Sequence, residues 1–273
     1  MQFGICNEIF RGWSLAETFS FVAKTGYDVV EIAPFTMGGL VTDISGEERR
    51  KIREEARRAG VGISGLHWVL AQTEGIFLNS PDRATRFRSG VYLGELVDCA
   101  ADLGGARVIL GSPKQRQVGE GTDYGAAWDW AVETLGDAVK RAEDRGVIIC
   151  VEPLGSSETN FINTAAEARR FAEEFSSGAI STILDVKAMS SEGLTIPEII
   201  GESRGRFEYF HANDVNLKGP GFGEVDYLPI VEALRGVGYD GVISVEVFLF
   251  EEGPKMIAER SLGYLREVFG VEG

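Results

Sequence analysis

Seven times along this chain a glycine closes a charged helical stretch and an apolar run follows. The glycines are Gly26, Gly60, Gly104, Gly146, Gly178, Gly205 and Gly238. The runs that follow are DVVEIAP, VGISGLHWV, RVILGSP, VIICVEPL, ISTILDV, FEYFHAND and GVISVEVF, and an eighth, FGICNEI, opens the chain. Glycine suits the left-handed residue just past a helix because it has no Cβ to clash. Eight strands alternating with eight helical segments is the grammar of an α/β chain closed into a single (β/α)8 TIM barrel. The chain has 273 residues, near the usual barrel size of about 250. No linker or low-complexity tract divides it, so residues 1–273 read as one domain.

Such a barrel gathers its chemistry at the C-terminal ends of its strands. Four of those ends, on the fifth to eighth strands, carry Glu152, Asp185, His211 and Glu246. Side chains alternate faces along a strand, so Glu152 shares its face with Cys150 and Ile148. By the same parity Ile183 and Ser181 point inward with Asp185, Tyr209 with His211 and Ser244 with Glu246. Three carboxylates and an imidazole aimed at one axis repel unless a divalent cation joins them. Three oxygen donors and one nitrogen favour Mn²⁺ first, then Mg²⁺ or Co²⁺. Without thiolates the set does not suit a structural zinc. The competing reading of each acid alone is a helix cap or a solvated loop residue. Both histidines of the chain, His67 and His211, fall at strand ends.

Composition narrows the partners. A net charge of −15 opposes binding to nucleic acid or an anionic membrane. No apolar run reaches the roughly 18 residues of a membrane span. MQFGICNEI has no basic region ahead of an apolar one and reads as a strand rather than a signal peptide. Cys6, Cys99 and Cys150 are scattered, as expected of small buried residues in a reducing, cytoplasmic setting.

The first helix is expected from Ser14 through LAETFSFVAKT, with Leu15, Phe19, Val22 and Ala23 on one face. SGEERRKIREEARRAG should form the second, with a solvated charged face. The third should run from about Pro81 to Leu103, with Ser80 as its cap. In the fourth, Trp128 and Trp130 cannot share a face. One is expected in the core and the other at the pocket rim or a subunit contact, so a homo-oligomer stays open. The stretches GSPKQRQVGEGTDYG, EPLGSSETNFINT and ANDVNLKGPGFGEVDY read as long loops that build a substrate pocket.

On VEPLGSSETNFINTAAEA, LDVKAMS, FHANDVNLKGPGFGEVDY and ISVEVF, the chain resembles the xylose-isomerase-like TIM barrel superfamily, in its sugar isomerase/epimerase branch near the ketose 3-epimerases. The resemblance implies one divalent metal held by Glu152, Asp185, His211 and Glu246, and a sugar contact by Glu158. It also implies a keto-sugar substrate. A proton beside a carbonyl is too weakly acidic for a free carboxylate, and a metal on the carbonyl would stabilise the enediolate. Glu152 and Glu246 are then the acid/base pair, and Asp185 and His211 mainly ligands.

Two positions leave the ketose epimerase pattern. Ala188 stands where those enzymes carry a substrate-binding His, and Leu217, beside Lys218, stands where they carry an Arg. Lys187 shares parity with Asp185 and is either a pocket cation or a surface lysine. His67 is either a ligand for a hydroxyl, a second acid, or structural. A metal-dependent lyase, inosose dehydratase-like or cleaving 3-keto glycosides, is the alternative reading. A non-catalytic sugar-binding barrel comes after it. A multi-zinc nuclease needs more histidines than two.

Overall fold

The computed structural model describes residues 1–271. Eight parallel strands, β1 (Gln2–Cys6), β2 (Val29–Ile32), β3 (Gly62–Leu66), β4 (Arg107–Leu110), β5 (Ile148–Val151), β6 (Ile180–Asp185), β7 (Phe207–Ala212) and β8 (Val242–Val245), close in sequence order into a barrel. The closing pair is β8 with β1, in parallel register from Gln2 opposite Val242 to Ile5 opposite Val245. Around it run α1 (Leu15–Thr25), α2 (Gly46–Ala59), α3 (Arg83–Leu103), α4 (Tyr124–Arg145), α5 (Ala165–Glu173), the single turn α6 (Val186–Met189), α7 (Ile196–Glu202), α8 (Tyr227–Gly236) and α9 (Pro254–Phe269).

Strand parity holds as expected. Ile109, Cys150, Ile183 and Tyr209 form a small apolar plug inside the barrel. Tyr209 carries its hydroxyl 2.7 Å from Ser64 Oγ, so the one polar tip in the plug is satisfied. The other face of each strand packs on the helices in one continuous apolar layer. The titratable residues sit above the plug, where Asp185 pairs in register with His211. An apolar floor below them excludes water from one side, which strengthens every charge interaction above it.

Helix starts follow the sequence closely. Ser14 with Glu17 and Ser45 with Glu48 each form reciprocal capping boxes for α1 and α2. The third helix departs from expectation. Asp82 is its cap, accepting from the Thr85 N–H at 2.9 Å, and the helix begins at Arg83. Ser80 instead accepts from the Asp82 N–H at 3.2 Å. Asp caps as well as Ser does, and the Asp82 carboxylate also takes the Thr85 hydroxyl.

The glycine rule is also corrected in part. Gly26, Gly60, Gly104 and Gly146 are left-handed residues directly ending helices. Gly205 and Gly238 have positive φ but lie beyond the helix ends, after Ser203 and Val237. Gly178 ends no helix. Helix α5 stops at Glu173, Phe175 folds back on Phe171 at 5.7 Å, and Ser176 takes the left-handed turn. Trp128 is the core tryptophan, 5.0 Å edge-on to Phe171. Trp130 lies not at the pocket rim but beneath the Arg86 guanidinium of α3, 5.6 Å away.

Candidate metal centre

Glu152 follows β5 directly, Asp185 ends β6, His211 lies on β7 and Glu246 follows β8. All four are buried, and one donor atom from each lies within 4.8 Å of all the others. His211 Nδ1 is 3.3 Å from Glu152 Oε1 and 3.2 Å from Glu246 Oε2. Its Nε2 faces the other way, 3.1 Å from Glu31 Oε2 on β2. A carboxylate behind one ring nitrogen holds a proton there, so that Nδ1 is the nitrogen left to give up its proton and bind a cation arriving at the cluster.

The remaining lone pairs are partly committed. Asp185 Oδ1 accepts from the Ala188 N–H at 2.7 Å, and Asn213 Nδ2 donates to Oδ2. The residue that replaces the expected histidine thus serves the cluster through its backbone. Glu246 Oε1 accepts from the Trp68 indole N–H at 2.9 Å. Glu246 Oε2 is buried and has no hydrogen-bond partner among the described residues, its 3.2 Å approach to His211 not counting as one. Glu152 Oε2 lies against Gly111 so closely that a Cβ there would overlap it. Glycine at 111 is therefore what lets Glu152 turn into the site.

Charge crowding marks the cluster. Burial, with the Glu246 and Glu152 carboxylates adding to it, pushes Asp185 up to about 7. Burial likewise raises Glu152, reinforced by Glu246. For Glu246 burial acts upward as well, but the His211 imidazolium outweighs it and the pKa falls. Burial alone would lower His211, yet Glu246 and Glu31 raise it well above its usual range. Glu31 is held down to about 2, burial being overridden by His211. A proton is thus what an ion-free cluster retains in place of a cation.

The other residues singled out in the sequence converge on the same mouth. His67, after β3, is buried, and its Nε2 is 2.5 Å from Glu8 Oε2. Lys187 Nζ is 2.8 Å from Glu158 Oε1 and 4.0 Å above the Phe248 ring. Lys187 is thus a pocket cation, already paired with the one loop glutamate picked out beside it. With Ser112 and Pro113, these groups line a chamber of 90 Å³ over Glu152, Asp185 and Glu246. Lys218 turns away to Glu252.

Sequence reasoning passed over Glu8, Glu31, Trp68 and Arg116. Arg116 is fully buried and donates to the Glu152 carbonyl at 2.7 Å, fixing the backbone of that strand end. Burial lowers it to about 10. Glu31 had a usable signal, since an acid inside the apolar strand VVEI needs a buried partner. Arg116 and Trp68 had none, because loop conformation decides where they point.

A family model described as a xylose isomerase-like TIM barrel matches residues 19–268. The chain is 30% identical over 239 residues to the L-ribulose 3-epimerase of Mesorhizobium japonicum, covering 87% of this chain and 76% of that protein. It is 23% identical over 287 residues to the 3-dehydro-D-guloside 4-epimerase of Escherichia coli (strain K12), covering 97% and 99%. The solved D-psicose 3-epimerase with D-tagatose from Clostridium cellulolyticum H10 superposes with a TM-score of 0.86 at 23% identity, covering 98% and 99%. A closed eight-stranded barrel, a buried cluster of three acids and a histidine at its C-terminal mouth, and a match over nearly the whole chain agree, and the chain belongs to the xylose isomerase-like TIM barrel family.

Proposed function

We propose that this chain is a divalent-metal-dependent carbohydrate epimerase or isomerase that moves a proton at the carbon beside a keto group. In this reading Glu152, Asp185, His211 and Glu246 hold one metal, Mn²⁺ by donor type. The carrying observation is the buried set itself, three carboxylates and an imidazole with donors within 4.8 Å. An orphaned Glu246 Oε2 and an Asp185 pushed up to about 7 both fit a site built for a cation. When bound, the ion would polarise the substrate carbonyl and make the neighbouring C–H more acidic.

The chain's own groups then divide the work. Glu152 and Glu246 flank His211 Nδ1 from β5 and β8, so each offers one oxygen toward the ligand position and keeps a second. Glu152 Oε2 lies beside Gly111 in the chamber lining with no donor on it among the described residues, which suits it to remove a proton. Glu246 Oε1 carries the Trp68 N–H, which steadies the carboxylate that returns a proton on the other side. The Lys187 ammonium lines the chamber and would offset negative charge developing on the substrate oxygen. Glu31 keeps His211 in the metal-binding tautomer. That the relatives are named as sugar epimerases supports the choice of reaction.

Chelated protein titrated with Mn²⁺ should show one tight site per chain by metal analysis, and His211→Ala should lose it. Full retention of metal by that variant would sink the assignment.

A further inference from the structure

The loops after β4 and β5 are stitched together by two exposed amide side chains, Gln117 and Asn160. Gln117 Nε2 donates to the Glu158 carbonyl at 3.0 Å, and its Oε1 accepts from the Asn160 N–H at 3.2 Å. Asn160 reaches back the same way. Its Oδ1 accepts from the Val118 N–H at 2.8 Å, and its Nδ2 donates to the Val118 carbonyl at 2.9 Å. Each amide has its oxygen on an N–H and its nitrogen on a carbonyl, so turning either over would lose both of its bonds. Neither residue lines the chamber over the acids. We propose that Gln117 and Asn160 are positioning residues for the reaction, acting through Glu158 on the Lys187 ammonium. The inference rests on the reading of Lys187 as the cation that offsets charge on the substrate oxygen.

Hydrogen bonds within reach of water add little net stability, because water satisfies the same groups when they part. What these four bonds supply is direction. The β4 side of the clamp is fixed from behind. Arg116, next to Gln117, is buried and donates to the Glu152 carbonyl at 2.7 Å. Asn79 Nδ2 donates to the Arg116 carbonyl at 2.7 Å, and the Leu78 N–H donates to the Gln115 carbonyl at 2.7 Å. The β5 side is a turn closed on itself, where Asn163 Nδ2 donates to the Leu154 and Thr159 carbonyls, each at 2.8 Å. Such a turn keeps its shape and shifts as a unit. The clamp sets where it sits against the fixed side.

Glu158 belongs to that turn, and its Oε1 meets Lys187 Nζ at 2.8 Å. Both residues line the chamber. A lysine carries a point charge on a flexible four-carbon stem, so its ammonium rests where a partner holds it. Displacing a group that acts on the reacting atoms by about 1 Å costs on the order of 10²-fold in rate. Two amides that touch neither metal donors nor chamber can therefore govern the rate through one ion pair.

Backbone strain marks the same two loops. Ser112 and Ile162 are left-handed, with φ of 49° and 57°. For a β-branched residue that conformation is a marked outlier. It persists only where the surroundings hold it, and such strain gathers at active sites and ligand clamps.

A double-mutant cycle of Asn160→Ala with Lys187→Met, on Mn²⁺-loaded protein with a keto sugar as substrate, tests the proposal. Asn160→Ala alone should lower kcat by about tenfold or more and leave KM within about threefold, since the ammonium acts on charge that develops during the reaction. Gln117→Ala should behave alike. Melting temperature and Mn²⁺ affinity should stay near wild type, because the clamp is exposed and contains none of the four proposed donors. In the Lys187→Met background the loss from Asn160→Ala should shrink to about twofold or less. An equal loss in both backgrounds, or no loss in the wild-type background, would overturn the proposal and leave the epimerase reading standing. If the wild type converts no keto sugar, the epimerase reading fails, and the placement of Lys187 is then judged by NMR of chelated protein carrying ¹³C at the lysine ε carbons. The order parameter of the signal that Lys187→Met removes should fall in Asn160→Ala. An unchanged order parameter would overturn the clamp.

Discussion

Gly111→Ala is a one-carbon test of how the centre is assembled. Gly111 has no left-handed backbone requirement, so alanine suits its conformation. The obstacle is steric. A Cβ there would overlap Glu152 Oε2 and sit 3.3 Å from Glu152 Cδ. The carboxylate must swing by about 1 Å to recover ordinary contact distance. A displacement of that size in a reacting group costs on the order of 10²-fold in rate, or about 2.7 kcal/mol. Mn²⁺ affinity should weaken with it, because Glu152 is one of the four proposed donors. The fold should survive, since the atom that moves is the end of a side chain. Gly136→Ala on α4, where no described atom beyond the helix's own backbone lies within 4 Å of the added carbon, is the matched control. Calorimetric Mn²⁺ titration, kcat/KM on a keto sugar and thermal melts would be run on both. Wild-type Mn²⁺ affinity and turnover in Gly111→Ala would refute the claim that Glu152 works from this position.

Glu31→Gln keeps the shape behind His211 but removes the charge that pins its Nε2 proton. Mn²⁺ affinity should fall by about 10- to 100-fold in calorimetry, and an unchanged affinity would show that the tautomer is fixed by other means. The ion-free cluster also predicts a pH dependence. Asp185 moves from 3.8 to about 7 on folding. A raised pKa contributes stability that is complete below the unfolded value and is lost as pH rises through the folded one, here at most about 4 kcal/mol. His211, also raised, acts in the same direction. Chelated protein should therefore melt lower at pH 8.5 than at pH 5.5, by about 4 °C or more. The gain from added Mn²⁺ should grow over the same interval. A flat profile with an equal metal gain at both ends would count against the cluster as drawn.

The barrel was legible because its signals are local and repeated. A helix-ending glycine and an apolar run recur often enough that losing Gly178 as a terminator changed nothing. Glu152, Asp185, His211 and Glu246 were legible for a related reason, since strand parity alone decides that they face one axis. What escaped depended on pairing between distant loops. Lys187 and Glu158 were each picked out, but their ion pair joins the helical turn after β6 to the loop after β5, whose approach no spacing encodes. Trp68 reaches Glu246 only through a backbone angle that a tryptophan rarely adopts. Glu8 and Glu31 sat in runs read as plain strand, and their partners, His67 and His211, are 59 and 180 residues away. The Asp82 cap was missed because Ser80 and Asp82 are both good caps, and packing chose between them.

The central claim is that Glu152 and Glu246 exchange a substrate proton with solvent beside a keto group in a metal-dependent step. Its most direct test is NMR of a keto sugar incubated in D₂O with chelated protein, before and after Mg²⁺ or Mn²⁺ is restored and then removed for measurement. The account predicts deuterium at one carbon next to the carbonyl, appearing with the epimeric or isomeric product only after metal is restored, and lost in Glu246→Gln. Product formed without deuterium, or formed equally by chelated protein, would contradict it.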